Sequence, residues 1–114
     1  MGYHIERVNS LLRQTLSELL QREVKDPRLD GFISITAVDT SSDMKFAKVY
    51  VSRLDGDEDR QEILRALATA AGFFRRAMAG SLRLRRIPQL SFKWDDSIER
   101  GDRLLRLIDD VGPD

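Results

Sequence analysis

The sequence predicts an α+β fold of two layers, a three-stranded sheet with helices packed on one face. Two long segments repeat apolar residues at helical spacing. Three shorter ones alternate apolar and polar residues and are rich in β-branched or aromatic side chains. Their order is helix, strand, strand, helix, kink, helix, strand, with a short amphipathic segment at the end.

Residues 4–25 read as the first helix. Val8, Leu12, Leu16 and Leu19, with Leu11, Leu20 and Val24 beside them, form an apolar stripe, and Arg7, Gln14, Glu18 and Arg22 fall between. The helix is expected to stop near Lys25, because Asp26 precedes Pro27 and a residue before proline is pushed out of the α region. Residues 32–39 alternate as a strand, with Ile33, Ile35 and Ala37 on one face and Ser34 and Thr36 on the other. Residues 40–43 are a polar turn. The next strand, 44–54, places Ala47, Val49 and Val51 on one face and Phe46, Lys48, Tyr50 and Ser52 on the opposite one, completing an antiparallel hairpin.

After a loop at 55–58, Asp59 with Glu62 three residues on has the form of a capping box. Ile63, Leu67, Ala70 and Phe74 give the following helix its buried stripe, and periodicity continues through Phe73, Ala77, Gly80 and Leu84 until Ile87-Pro88 stops it. Gly72 interrupts this pattern at a cost of about 1 kcal/mol relative to Ala, as glycines at a kink or a close approach do. Residues 89–95 alternate again with Leu90, Phe92 and Trp94 together. Residues 97–109 are expected to form a short amphipathic tail helix. The outer sheet face would carry Phe46, Lys48 and Tyr50, which ordinary strand propensity and cross-strand packing explain better than a base-stacking platform does.

Composition bounds the function. At 114 residues the chain is expected to be one domain, ordered over about 5–108. Cysteine is absent, which rules out disulfides and thiolate metal sites. No apolar window approaches the length of a membrane span, and the first residues lack a secretory pattern, so a cytoplasmic location is expected. His4 has no second histidine or cysteine as co-ligand. Asp95-Asp96 and Asp109-Asp110 are adjacent pairs whose side chains diverge, and no phosphate-cradling loop or nucleophile–base set appears; no metal, cofactor, small-molecule substrate or catalysis is expected.

Net charge is zero, with 19 basic and 19 acidic residues, yet the charges are segregated. Across 63–94 there is no Asp or Glu, while Arg65, Arg75, Arg76, Arg83, Arg85, Arg86 and Lys93 all fall there. Local potential rather than net charge steers a polyanion. If the helix runs to Leu84, Arg76 lies about 100° and Arg83 about 80° from Arg75, with Phe73, Ala77 and Leu84 at about 160–200°. The arginines then share a sector opposite the buried stripe. A merely solvated face would mix acids among them.

The element order is that of a type II KH-like domain. The segments Lys25-Asp26-Pro27-Arg28, Ala47-Lys48-Val49-Tyr50-Val51, Gly72-Phe73-Phe74-Arg75 and Leu82-Arg83-Leu84-Arg85 followed by Pro88 resemble, in order and spacing, the ribosome-binding factor A family. The resemblance covers about 5–108 and implies a monomeric, non-catalytic factor that binds the immature small (30S) ribosomal subunit and its 16S ribosomal RNA and supports late maturation and end processing of that RNA. Ordinary KH domains clamp the backbone with a GXXG loop, which this sequence lacks. The family has an Ala-x-Gly kink between two helices instead, matched by Ala70-Ala71-Gly72. Some members carry a basic C-terminal extension, whereas this chain ends short and acidic.

The candidate RNA-contacting residues are therefore Arg75, Arg76, Arg83, Arg85 and Arg86, with Lys25, Arg28, Lys45 and Lys48, and the candidate kink residues are Ala70 and Gly72. The rival reading is a basic protein–protein module that makes no direct RNA contact.

Overall fold

The computed structural model describes residues 2–24, 26–29, 33–53 and 58–96. Lys25 and the expected tail helix at 97–109 lie outside them.

Helix α1 spans Gly2–Arg22 and buries Leu12, Leu16 and Leu20, one side chain per turn, as the stripe requires. Leu11, expected beside that stripe, lies off it and is exposed. The helix ends three residues earlier than Lys25, where the amides of Glu23 and Val24 both reach back to the Leu19 carbonyl. A single 3-10 turn, Pro27–Leu29, follows and drops Leu29 into the core.

Strands β1 (Ile33–Thr40) and β2 (Phe46–Arg53) pair antiparallel. The hairpin loop is built by side chains. Asp43 accepts bonds from the Ser41 hydroxyl and the Lys45 amide, the Ser41 hydroxyl accepts the Phe46 amide, and Met44 takes a left-handed φ of 63°. That left-handed residue is why β2 begins at Phe46 rather than at 44.

The alternation expected of β1 fails halfway. Ile35 pairs with Val51, but the next pair is Ala37 with Tyr50, leaving Thr36 as the extra residue of a β-bulge. The bulge inverts the faces beyond it. Ala37 is exposed, and Val38 and Thr40 are buried. The Thr36 hydroxyl bonds to the Tyr50 carbonyl and to the Asp95 carboxylate.

Helix α2 runs unbroken from Arg60 to Ser81, through Gly72, so the expected division into two helices is corrected to one. Good helix formers flank Gly72, and a lone glycine costs too little, about 1 kcal/mol, to part them. Asp59 is the N-cap, but its carboxylate makes no cap bond and instead meets Arg53 at 3.2 Å, so the expected capping box does not form. The buried stripe is Ile63, Ala66, Leu67, Phe74 and Met78. Ala70 is half-buried and Gly80 exposed.

Strand β3 (Gln89–Trp94) joins β2 in parallel, from Phe46 opposite Gln89 to Val51 opposite Trp94, and the strand order is β1-β2-β3. A parallel pair needs a long crossover, which α2 supplies. Ala47, Val49 and Val51 on the inner face meet the two helices. Phe74 packs against Phe92 of β3 with ring centroids 6.0 Å apart. The result is an α+β, KH-like sandwich with one sheet face covered by helices.

Candidate nucleic-acid interface

The site begins on the solvent side of α2. Phe74 and Met78 point into the core, which turns Arg75 and Arg76 outward. Arg76 folds back along the helix. Its Nη1 lies 3.3 Å from where a Cβ at Gly72 would stand, so the glycine leaves room for the guanidinium one turn earlier. This i, i+4 relation is the side-chain contact the structure shows at Gly72.

The helix then stops at Ser81. The Leu82 amide bonds back to the Met78 carbonyl at 2.7 Å, and Leu82 itself is extended, with φ −107° and ψ 144°. The expected continuation to Leu84 is therefore wrong, and Arg83 does not share a helical sector with Arg75. The reason is local: beyond Ser81 an apolar–arginine alternation takes over, and that pattern suits extended chain. Leu82, Leu84 and Ile87 are half-buried, Pro88 is buried, and Arg83, Arg85 and Arg86 are exposed between them.

Two bonds tie this non-helical strap to the fold. An Arg75 Nη2 donates to the Ile87 carbonyl at 3.4 Å, linking helix to strap. The Gln89 amide donates to the Lys45 carbonyl at 2.9 Å, linking strap to the start of β2. Arg75, Arg76, Arg83, Arg85, Arg86 and Lys45 are thus carried by three mutually tied segments. None of these five arginines makes an ion pair with a described residue. Lys48 stands two positions along β2 on the outer face, opposite Asp39 of β1.

Arg28 belongs elsewhere. It lies on the 3-10 turn, which packs beside α2 near that helix's first turn, in a recess shared with Arg53, Asp59 and Glu62. Ten or more helical residues, about 15–20 Å, separate that end from Arg75. Asp26 accepts three bonds from Arg28, from its amide, Nε and Nη2, at 2.8–3.1 Å. The bond from the Arg28 side chain holds the Asp26 carboxyl below its ordinary value, and that carboxylate raises the guanidinium in turn. Arg28 is thereby neutralised locally and does not extend the strip.

The sequence also failed to mark Asn9. Its side-chain carbonyl accepts the Thr40 amide at 2.9 Å on the outer edge of β1, above a polar groove of about 670 Å³ that Arg13, Gln14, Glu18 and Thr36 also line. Among the described residues no cluster of His, Asp or Glu could hold a metal ion, and no helix is long and apolar enough to cross a membrane.

A KH-like α+β domain whose long helix and following strap expose a row of arginines without acidic partners among the described residues is the class these features define. Over residues 4–108 the chain matches the family model described as ribosome-binding factor A. It is 52% identical over 111 residues to the ribosome-binding factor A of Dehalococcoides mccartyi, spanning 97% of this chain and 94% of the relative. The crystal structure of ribosome-binding factor A from Thermus thermophilus superposes with a TM-score of 0.69 at 32% identity, covering 79% of this chain and 93% of that one. A Thermus thermophilus ribosome-binding factor A homology model, fitted into the cryo-EM map of a 30S complex, gives a TM-score of 0.62 at 32% identity, covering 77% and 91%. The chain belongs to the ribosome-binding factor A family.

Proposed function

We propose that this chain is an assembly factor of the small ribosomal subunit, which binds the immature 30S particle through its 16S ribosomal RNA and supports late maturation and RNA end processing. The observation that carries this reading is the strip Arg75, Arg76, Arg83, Arg85 and Arg86, exposed and without acidic partners among the described residues, with Lys45 at its edge. Guanidinium groups presented to solvent can meet phosphate oxygens bidentately. Affinity of this kind rests on backbone charge and RNA shape rather than on base sequence. The Thermus thermophilus relative fitted into a 30S complex supports the choice of partner. The protein acts as a cytoplasmic monomer and without catalysis: it holds RNA in a conformation and carries out no bond-making step.

Co-sedimentation tests this. The chain should travel with immature small subunits from a cell extract, and the association should disappear after ribonuclease digestion. Association that survives digestion identifies a protein partner and supports the basic protein–protein module instead.

A further inference from the structure

The outer face of the sheet remains after the strip is assigned. Phe46 is 56% exposed, and its flanking positions are Ser41 on the hairpin side and Gln89 on β3, so no apolar cross-strand neighbour among the described residues covers it. Tyr50, on the same face, is flanked by Ala37 and Lys93. Lys48 lies between the two aromatics. At about 3.3 Å per residue, Phe46 and Tyr50 stand roughly 13 Å apart along β2. The face is charged as well as aromatic: Lys48 and Lys93 rise from it, against Asp39 on β1 and Asp95 just past β3, whose carboxylate is held by the Thr36 hydroxyl, and Asp43 in the hairpin is occupied by Ser41 and the Lys45 amide.

This face is continuous with the strip. Arg85 and Arg86 lead through Pro88 into β3, whose first residue bonds to Lys45 and pairs with Phe46. A polynucleotide held by its phosphates on the strap reaches Phe46 next. We propose that Phe46, with Tyr50 beyond it, stacks unpaired bases of a single-stranded RNA segment whose phosphates lie on Arg83, Arg85 and Arg86. This rests on the RNA-binding reading above and extends it to the class of RNA taken. A duplex offers no free base faces, so it can use the strip alone. A protein partner fits the face poorly, because interface cores are depleted in lysine and these aromatics are interleaved with it.

The test is a fluorescence-anisotropy titration of the full-length chain with a short unstructured oligoribonucleotide and with a duplex RNA of matching charge. Phe46→Ala should weaken single-strand binding about tenfold, leave duplex binding unchanged and leave the salt slope unchanged, while Phe46→Trp keeps single-strand affinity. Leu11→Ala, which removes an exposed apolar side chain from α1, should change neither. Phe46→Ala with unaltered single-strand affinity, or with equal losses on both RNAs, overturns the proposal. So does weakened 30S binding with intact single-strand binding, which marks a protein contact. Arg83, Arg85 and Arg86 replaced by Ala should weaken both RNAs. If that variant weakens neither, the strip reading fails, and the difference between the two RNAs at Phe46 is judged separately.

Discussion

Gly72 and Arg76 form a pair in which one residue's missing side chain makes space for the other's guanidinium. Because α2 is unbroken there, Gly72→Ala should raise stability by up to about 1 kcal/mol in chemical denaturation, with the flexible end of Arg76 moving a few tenths of an ångström aside. A fall in stability would mean that the backbone at Gly72 needs glycine itself. Thr40 is a second residue-scale case. Its amide is satisfied by Asn9, but its buried hydroxyl has no partner among the described residues. Thr40→Val removes an orphaned polar atom at constant shape, so it should stabilise the fold by about 1 kcal/mol. Two carboxylates with built partners, Asp43 and Asp26, set a pH dependence. The Ser41 hydroxyl holds Asp43 low, and the Arg28 side chain holds Asp26 low, both below the usual 3.8. Their contribution is present above the unfolded value and is lost as pH falls through the lower folded value. Carboxyl NMR titration should therefore place both midpoints below those of unpaired aspartates.

Element identities follow directly from sequence, and element ends do not. The helical stripes of α1 and α2 and the inner row Ala47, Val49, Val51 appear as the periodicity requires, because burial sorts side chains by face. The bulge at Thr36 was hidden, since one inserted residue leaves composition and β-propensity unaltered while inverting every face beyond it. Paired substitutions expose that inversion. Ala37→Asp should change stability by less than about 0.5 kcal/mol, whereas Val38→Asp, which buries a charge, should unfold the domain or cost more than about 3 kcal/mol by thermal melting. Regular alternation would give the reverse order. The end of α2 was misplaced for a related reason: Leu84 continues the helical repeat of Phe73, Ala77 and Gly80, but with Leu82 it also begins an apolar–arginine alternation, and the helix stops where that alternation starts.

At the scale of the whole molecule, topology turns a contiguous run of sequence into a surface. The acid-free stretch 63–94 could be read as a cationic segment, but whether its arginines converge depended on how α2, the strap and β3 return along β2. The parallel pairing of β3 brings the strap beside Lys45 and leaves Arg28 at the other end of α2, paired with Asp26. Linear sequence placed Arg28 with the basic residues because it shows charge and not distance. The central claim is that the strap arginines are a phosphate-binding site and not a solvated face. Its most direct measurement is the salt dependence of binding to immature small subunits for Arg83, Arg85 and Arg86 replaced together by Ala. The control is Arg7, Arg13 and Arg60 replaced likewise, which removes equal charge from exposed positions elsewhere. The strap variant should bind more weakly, and its slope of log K against log salt should become shallower by about two to three units, roughly one per lost phosphate contact, while the control keeps the parent slope. Equal slopes in the two variants, whether both reduced or both unchanged, would contradict the claim.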